Sequence, residues 1–352
     1  MIAEFTDRIK EASANKMPLC IQGGGTKNFY GQRPAGTILS TRLHAGIIDY
    51  DPSELVITAR SGTLLSDINK LLDEQHQMLA FEPPSFGNSA TLGGVVAAGL
   101  SGPRRPYVGS VRDFVLGTVI MNGLAERLVF GGQVMKNVAG YDVSRLLTGS
   151  MGCLGLLLEV SIKVLPKPRS DITLAFDMSQ ETALNTINNW SGKPLPISAS
   201  SWENQRLTVR LSGSDAATRD AQMQLGGEQM NTDEASQYWV SILEQTHPFF
   251  LGDSIYWRLS LPSTTSVLDL GGTQLIEWGG AQRWFTNPES TVDQVRQTVA
   301  ALGGHATMFR GGDKTDTVFH PLPSALLTIH KRLKSAFDPA GIFNPGRLYP
   351  DL

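Results

Sequence analysis

Hydrophobic residues recur at Ile2, Phe5, Ile9 and Ala12, and this spacing of three to four predicts an amphipathic opening helix. An apolar run then leads through Pro18-Leu-Cys-Ile-Gln22 into three consecutive glycines, Gly23, Gly24 and Gly25, followed by Thr26 and Lys27. The pattern predicts a strand that stops at a loop whose backbone amides no side chain shields. Residues 46–60 read as two strands around the turn Asp51-Pro52-Ser53, and Leu64, Leu65, Ile68, Leu71 and Leu72 mark the helix that follows. A Pro/Gly-rich loop from Glu82 to Asn88, containing Pro83 and Pro84, leads to Thr91-Leu92-Gly93-Gly94 and a further run of small residues. A glycine inside a helix costs about 1 kcal/mol relative to alanine, so Gly93 and Gly94 together predict close approach to another backbone or to a flat ligand.

From Val115 the chain reads as strand, and Leu156, Leu158, Val160, Ile162 and Val164 alternate cleanly until Pro166-Lys-Pro168. That break predicts a domain boundary. Residues 1–168 are expected to form one domain and 169–323 a second, smaller α+β domain, in which tryptophans appear and Leu207–Leu211 reads as a strand before an Ala/Gln-rich helix. Residues 324–352 close the chain as a helix from about Ser324 to Phe337 and a tail too rich in turn formers to be regular.

Composition narrows the classes. At 352 residues the chain is long enough for two domains, and its net charge of -3 without a Lys/Arg cluster argues against a nucleic-acid partner. No run approaches the roughly 18 apolar residues that span a bilayer, and the N-terminus lacks a basic region followed by an apolar core, so a cytoplasmic protein is expected. The two cysteines, Cys20 and Cys153, have no metal or redox spacing and read as buried free thiols.

Spacing excludes two phosphate loops: Gly23–Gly25 lack the third glycine of GxGxxG, and no Gly-Lys-Ser/Thr closes a P-loop. Taken alone, the triple glycine fits an unliganded turn as well as an anion cradle. Its neighbours along the chain change that. In order come Gln22-Gly-Gly-Gly-Thr26, Pro83-Pro84, Thr91-Leu-Gly-Gly94, Tyr107-Val-Gly109 with Asp113, Lys136-Asn-Val-Ala-Gly-Tyr-Asp142, Gly149-Ser150-Met-Gly152-Cys-Leu-Gly155 with Leu156, and Asn344-Pro-Gly346. This succession resembles the FAD-binding domain of the vanillyl-alcohol oxidase/p-cresol methylhydroxylase (PCMH-type) superfamily. Within it, the chain is most similar, over nearly its whole length, to the FAD-binding E subunits of bacterial glycolate oxidases.

The resemblance implies an α+β fold: a PCMH-type domain of two α/β subdomains with FAD between them, a cap domain, and a C-terminal return to the flavin domain. It implies that the backbone of Gln22–Lys27 cradles the FAD pyrophosphate, with Thr26 adding a hydroxyl, and that Thr91–Gly94 passes against the ring and pyrophosphate. Pro83, Pro84, Gly109, Asp113, Lys136, Gly149, Ser150, Gly152, Gly155, Leu156 and Asn344 complete the implied cofactor set. Met151 and Cys153 stand where the family usually has Glu and Thr, which leaves backbone contacts there. Positions 24 and 25 hold no histidine for a covalent link, so noncovalent FAD is implied. Valine at Gly24 is expected to empty the loop of FAD with modest damage to the fold.

Catalytic relatives carry a His-x-Gly-Asp-Gly-Asn-x-x-His segment, which this chain lacks; His305 and His320 have no second histidine at ligand spacing, so no metal is expected. His305 fits a base near the flavin or a turn residue, and Arg258, Arg283 or Arg310 fit a carboxylate clamp or surface charge. Arg104-Arg105, between turn formers, fits an anion or partner site or a solvated loop. No GxSxG marks a nucleophile. The resemblance implies a subunit of a complex that oxidises glycolate, a 2-hydroxy acid, to glyoxylate, with a paralogous FAD-containing catalytic subunit and an iron–sulfur subunit as partners and only indirect contact with a membrane. Two cysteines cannot hold a cluster that requires about four, so the iron–sulfur centre is assigned to another polypeptide. An independent FAD-dependent 2-hydroxy-acid dehydrogenase and a non-catalytic assembly scaffold are the alternatives.

Overall fold

The structure is a computed structural model and describes residues 1–132, 142–314 and 317–352. By its contacts the chain divides into two compact units, one of residues 1–101, 109–166 and 313–352, the other of residues 102–108 and 167–312.

The first unit opens with the helix Ile2–Asn15, whose buried face is Phe5, Ile9 and Ala12. That face packs with Leu19, Leu39, Met121, Leu156, Leu158, Ile342 and Phe343 into one apolar cluster. The main sheet of this unit has five antiparallel strands in the order Ile47–Asp51, Val56–Arg60, Leu156–Lys163, Val115–Met121 and Arg127–Gly131. Leu156–Lys163 lies at its centre. The alternation of apolar residues describes only one of its faces, because Leu157 and Ser161 on the other face are buried as well. A central strand covered on both sides has no solvent face for polar residues to mark.

A second, small sheet decides the position of the glycine loop. Leu19–Gln22 pairs in parallel with Thr37–Ser40, and Leu19 also bridges to Phe343 in the tail. The tail is irregular but strongly anchored. The Lys334 amine, on the helix Ser324–Phe337, donates to Asp338 Oδ2 at 2.7 Å and to the carbonyls of Cys153 and Phe343 at 2.9 and 2.6 Å. Asp338 in turn accepts the amides of Ile342 and Phe343 at 3.1 and 2.7 Å.

The second unit is built on an eight-stranded sheet ordered Glu228–Gln229, Ser170–Asp177, Arg206–Gly213, Ile197–Glu203, Thr273–Glu277, Gln282–Thr286, Tyr256–Ser260 and His305–Arg310. Helices Gln180–Ser191 and Val292–Ala301 contribute Ala183, Leu184 and Ile187, and Val295 and Val299, to two separate apolar clusters of that unit. Arg104 and Arg105 belong to this unit and are not a solvated loop: Arg104 is buried 4.0 Å from Asp171, and Arg105 lies 4.4 Å over the Trp278 ring.

The Lys334–Asp338 pair is almost wholly withdrawn from water, with side chains 10% and 0% exposed. Removing one partner of a buried pair strands the other charge, so Lys334→Met is expected to cost about 3–5 kcal/mol in urea unfolding. A loss below about 1 kcal/mol, the range of a surface pair, would show that the clasp does not hold the tail.

Candidate functional site

The glycine loop forms one wall of an open cleft in the first unit. The cleft is lined by residues 20–28, by Pro34, by Thr91, Gly94, Ala97 and Ala98 of the helical segment, and by Met151, Asn344 and Arg347. The structure thus brings together Gln22, Gly23, Gly24, Gly25, Thr26, Lys27, Thr91, Gly94 and Asn344 from segments far apart in sequence. Among the described residues, the amides of Gly24, Gly25 and Thr26 donate to no acceptor within the chain. Consecutive unsatisfied amides in a loop form a concavity suited to an anion.

The reason for glycine in this loop differs from the sequence expectation. A Cβ on Gly24 would stand 1.5 Å from the Ser89 carbonyl oxygen, and one on Gly23 2.3 Å from Thr91 Oγ1. Ser89 Oγ also donates to the Gly24 carbonyl at 2.9 Å. The loop is glycine because it lies directly on the 89–91 backbone, so a side chain at Gly24 strikes protein before it reaches any ligand. The expected modest damage from valine at Gly24 is therefore corrected: that substitution attacks the fold.

Thr91 caps the helix Leu92–Ala98, accepting the Gly94 amide on Oγ1 at 3.3 Å. Its two glycines have separate duties. Gly93 donates to the Ser61 carbonyl at 2.8 Å, and a Cβ there would meet Ser61 Cβ at 2.7 Å. Gly94 faces the cleft, where the nearest atom to an added Cβ is Thr91 Oγ1 at 3.3 Å. Gly93 lets the helix approach a backbone, and Gly94 keeps a side chain out of the cleft wall.

Asn344 joins three segments. Its Oδ1 accepts the Ile21 amide at 2.7 Å, its Nδ2 donates to the Met151 carbonyl at 2.6 Å, and its own amide donates to the Leu19 carbonyl at 2.9 Å. The contact at Met151 runs through its backbone carbonyl. Cys153 donates its thiol to the Asn344 carbonyl at 3.4 Å, and both cysteines are buried and free. Burial pushes the Cys153 thiol up to about 11 and raises that of Cys20, so neither supplies a thiolate at neutral pH.

Other candidates stand elsewhere. Lys27 does not project freely: its amine donates to Ser85 O at 3.2 Å and sits over the Phe86 ring. Asp113 accepts the Ser110 amide and hydroxyl in a capping box, and a Cβ on Gly109 would stand 3.1 Å from its carboxylate. Pro83 and Pro84 are buried. Gly149 and Ser150 line a different cavity of the first unit, beside His330 and Leu333. A Cβ on Gly152 would meet Asn344 Nδ2 at 2.7 Å, while Gly155 and the buried Leu156 pack by the central strand. Lys136 lies outside the described residues. In the second unit, Arg258, His305 and Arg310 share neighbouring strands, with Arg258 opposite Thr307 and His305 opposite Ser260. Arg258 lies 5.3 Å from the Phe309 ring centre, and Arg310 donates to Gln245 at 2.9 Å. Arg283 is fully buried on the carbonyls of Thr265, Ser266 and Gly280, which makes it a structural guanidinium and not a clamp. Among the described residues no cluster of His, Cys, Asp or Glu could hold a metal.

Of the lining residues that escaped the sequence reading, one is a buried cation. Arg347, 6% exposed, donates Nη2 to the carbonyls of Lys27 and Asn28, while its Nη1 is buried without a partner among the described residues. The only signal was an arginine directly after Asn344-Pro-Gly346, in the turn-rich tail expected to return to the flavin domain.

Gly24→Ala, the smallest possible change, is expected to lower the melting temperature of the flavin-free chain by several degrees because its methyl group meets main chain. An unchanged melting temperature would show that loop and Ser89 are not in contact.

An FAD binding domain model matches residues 2–131, and a model of the C-terminal domain of FAD linked oxidases matches residues 288–348. The glycolate oxidase subunit GlcE of Escherichia coli K12 is 48% identical over 98% of this chain and 97% of its own length. The glycolate oxidase subunit GlcD of Bacillus subtilis is 30% identical over 50% of this chain, and a D-lactate dehydrogenase of Anaerostipes hadrus 32% over 47%; the chain spans only 38% and 35% of those two proteins. A solved structure of alkyldihydroxyacetonephosphate synthase superposes on 97% of this chain and 74% of its own with a TM-score of 0.66 at 14% identity, a likeness of fold. The chain therefore belongs to the family of the glycolate oxidase subunit GlcE, FAD-linked oxidoreductases of the PCMH-type superfamily.

Proposed function

We propose that the chain is the noncovalent FAD-binding subunit of a multi-subunit glycolate dehydrogenase, which oxidises glycolate and related 2-hydroxy acids to 2-oxo acids. The observation that carries this reading is the match to GlcE along both whole chains. In this reading residues 1–168 and the closing 324–352 hold FAD, and residues 169–323 form the cap. The loop amides of Gly24, Gly25 and Thr26 would receive the pyrophosphate, and Gly94 and Ala97 would leave room beside it. The donor set fits the group: three unsatisfied amides and a buried guanidinium suit a diphosphate, and the small helical residues suit a flat, apolar surface.

Bound FAD supplies a two-electron acceptor. The chain's own residues orient it, through the glycine loop and the tail that Asn344 secures, and exclude water from one side of the cleft. Electrons from the hydroxy acid would leave for an iron–sulfur partner, since the chain's two cysteines are both buried and cannot supply cluster ligands. A paralogous flavoprotein, of the kind represented by GlcD, is the proposed catalytic partner. Among the described residues no helix is long and apolar enough to cross a membrane, which fits attachment to the inner face of the membrane through partners.

A second reading, an independent 2-hydroxy-acid dehydrogenase, is favoured by the D-lactate dehydrogenase relative and by Arg258, His305 and Arg310 on adjoining strands. Anaerobic glycolate separates the two. The complex reading expects the isolated, FAD-loaded chain to stay yellow and activity to require the partner subunits; bleaching of the lone chain by glycolate would overturn it in favour of the independent enzyme. For the site itself, Gly94→Leu is expected to abolish flavin retention with the apo melting temperature kept, since leucine is the better helix former by about 0.8 kcal/mol. A Gly94→Leu chain with normal flavin absorbance would remove the cofactor from this cleft.

A further inference from the structure

Arg347 is held in place by the segment that follows the glycine loop. Its Nη2 donates to the carbonyls of Lys27 and Asn28 at 3.3 and 3.2 Å, and its own carbonyl accepts the Gln32 amide at 3.1 Å. The residue lines the cleft, and Nη1 has no acceptor among the described residues. Its neighbours there include the thiols of Cys20 and Cys153, both pushed up by burial, and no described carboxylate pairs with it. A guanidinium remains charged in proteins, so the first unit buries a positive charge with carbonyl dipoles around part of it and no counter-ion among the described residues. Such a charge is strongly unfavourable unless something neutralises it.

The geometry points to Arg347 as the counter-charge of the FAD diphosphate, a positioning residue carried on the C-terminal tail and set beside the Gly24–Thr26 amides. This rests on the FAD reading of the cleft. The planar fork suits such a role, because one nitrogen is committed to the loop carbonyls and the other is left for an anion, whereas a lysine offers a single point charge. The arrangement also ties cofactor to tail. Asn344, three residues earlier, holds the strand that enters the glycine loop, so an anion that neutralises Arg347 stabilises the tail in its closed position. The cofactor thus acts as part of the closure as well as its cargo.

The test uses the full chain stripped of flavin and titrated with FAD by fluorescence at several salt concentrations. The wild type is compared with Arg347→Gln, Arg347→Lys and the blocking variant Gly94→Leu. Glutamine can still donate to a loop carbonyl but carries no charge. It is expected to weaken FAD about 10- to 100-fold, the worth of a charged hydrogen bond, and to flatten the salt dependence. Lysine is expected to restore the salt dependence. Riboflavin, which has no diphosphate, should not distinguish wild type from Arg347→Gln. If Arg347→Gln binds FAD within about twofold of wild type with the same salt dependence, the inference fails while the cleft stands. If Gly94→Leu also binds normally, the FAD reading of the cleft fails and takes this inference with it. Should Arg347→Gln not fold, Arg347→Lys decides: affinity within about fivefold of wild type with an unchanged salt dependence supports the pairing, and a loss equal to that of Gly94→Leu overturns it.

Discussion

The first unit depends on one buried amide. Asn344 bonds with both side-chain ends and with its own backbone to Leu19, Ile21 and Met151, three contacts that fix where the glycine loop begins, where the 149–155 segment passes and where the tail lies. Each bond is modest, about 1 kcal/mol net. Their value is geometric. They make a loop of three glycines, which has no side chains of its own to hold it, keep one shape. The Lys334–Asp338 clasp supports them from the tail side by consuming the carbonyls and amides that an irregular segment leaves unpaired.

Seen from that anchor, glycine has two uses in the site. Gly24 and Gly93 exist so that backbones can touch, Gly23 so that the loop can pass the Thr91 side chain, and a methyl group at any of them meets protein atoms closer than 3 Å. Gly94 exists so that nothing is there. The concave surface arises from the second kind, and its stability from the first. Loss of cofactor in a Gly24 variant would therefore report a displaced loop, whereas loss in a Gly94 variant reports a filled space.

Much of this was legible in the chain. The opening helix, the strand into the glycines, the small-residue helix after Thr91 and the turn-rich tail all lie where periodicity and turn chemistry put them. Local reasoning failed where tertiary contacts decide. Nothing near Gly24 in sequence announces Ser89, and nothing near Arg104 and Arg105 announces Asp171 and Trp278, so a packed pair read equally well as a solvated loop. Ser150 sits in a strongly patterned segment yet turns to a different cavity from Met151, its neighbour, since adjacent residues of a turn face apart. Arg347 was invisible for another reason: its importance lies in a nitrogen left without a partner, and that has no sequence signature.

We place FAD in the first unit, between the glycine loop, the helix after Thr91 and the tail, and the roles proposed for Gly94 and Arg347 both follow from that placement. Hydrogen exchange of the whole chain, with and without FAD, reads every one of these segments at once. New protection is expected to concentrate in residues 22–28, 91–98 and 342–348. Protection confined to the second unit, or none in the glycine loop at saturating FAD, would contradict the placement.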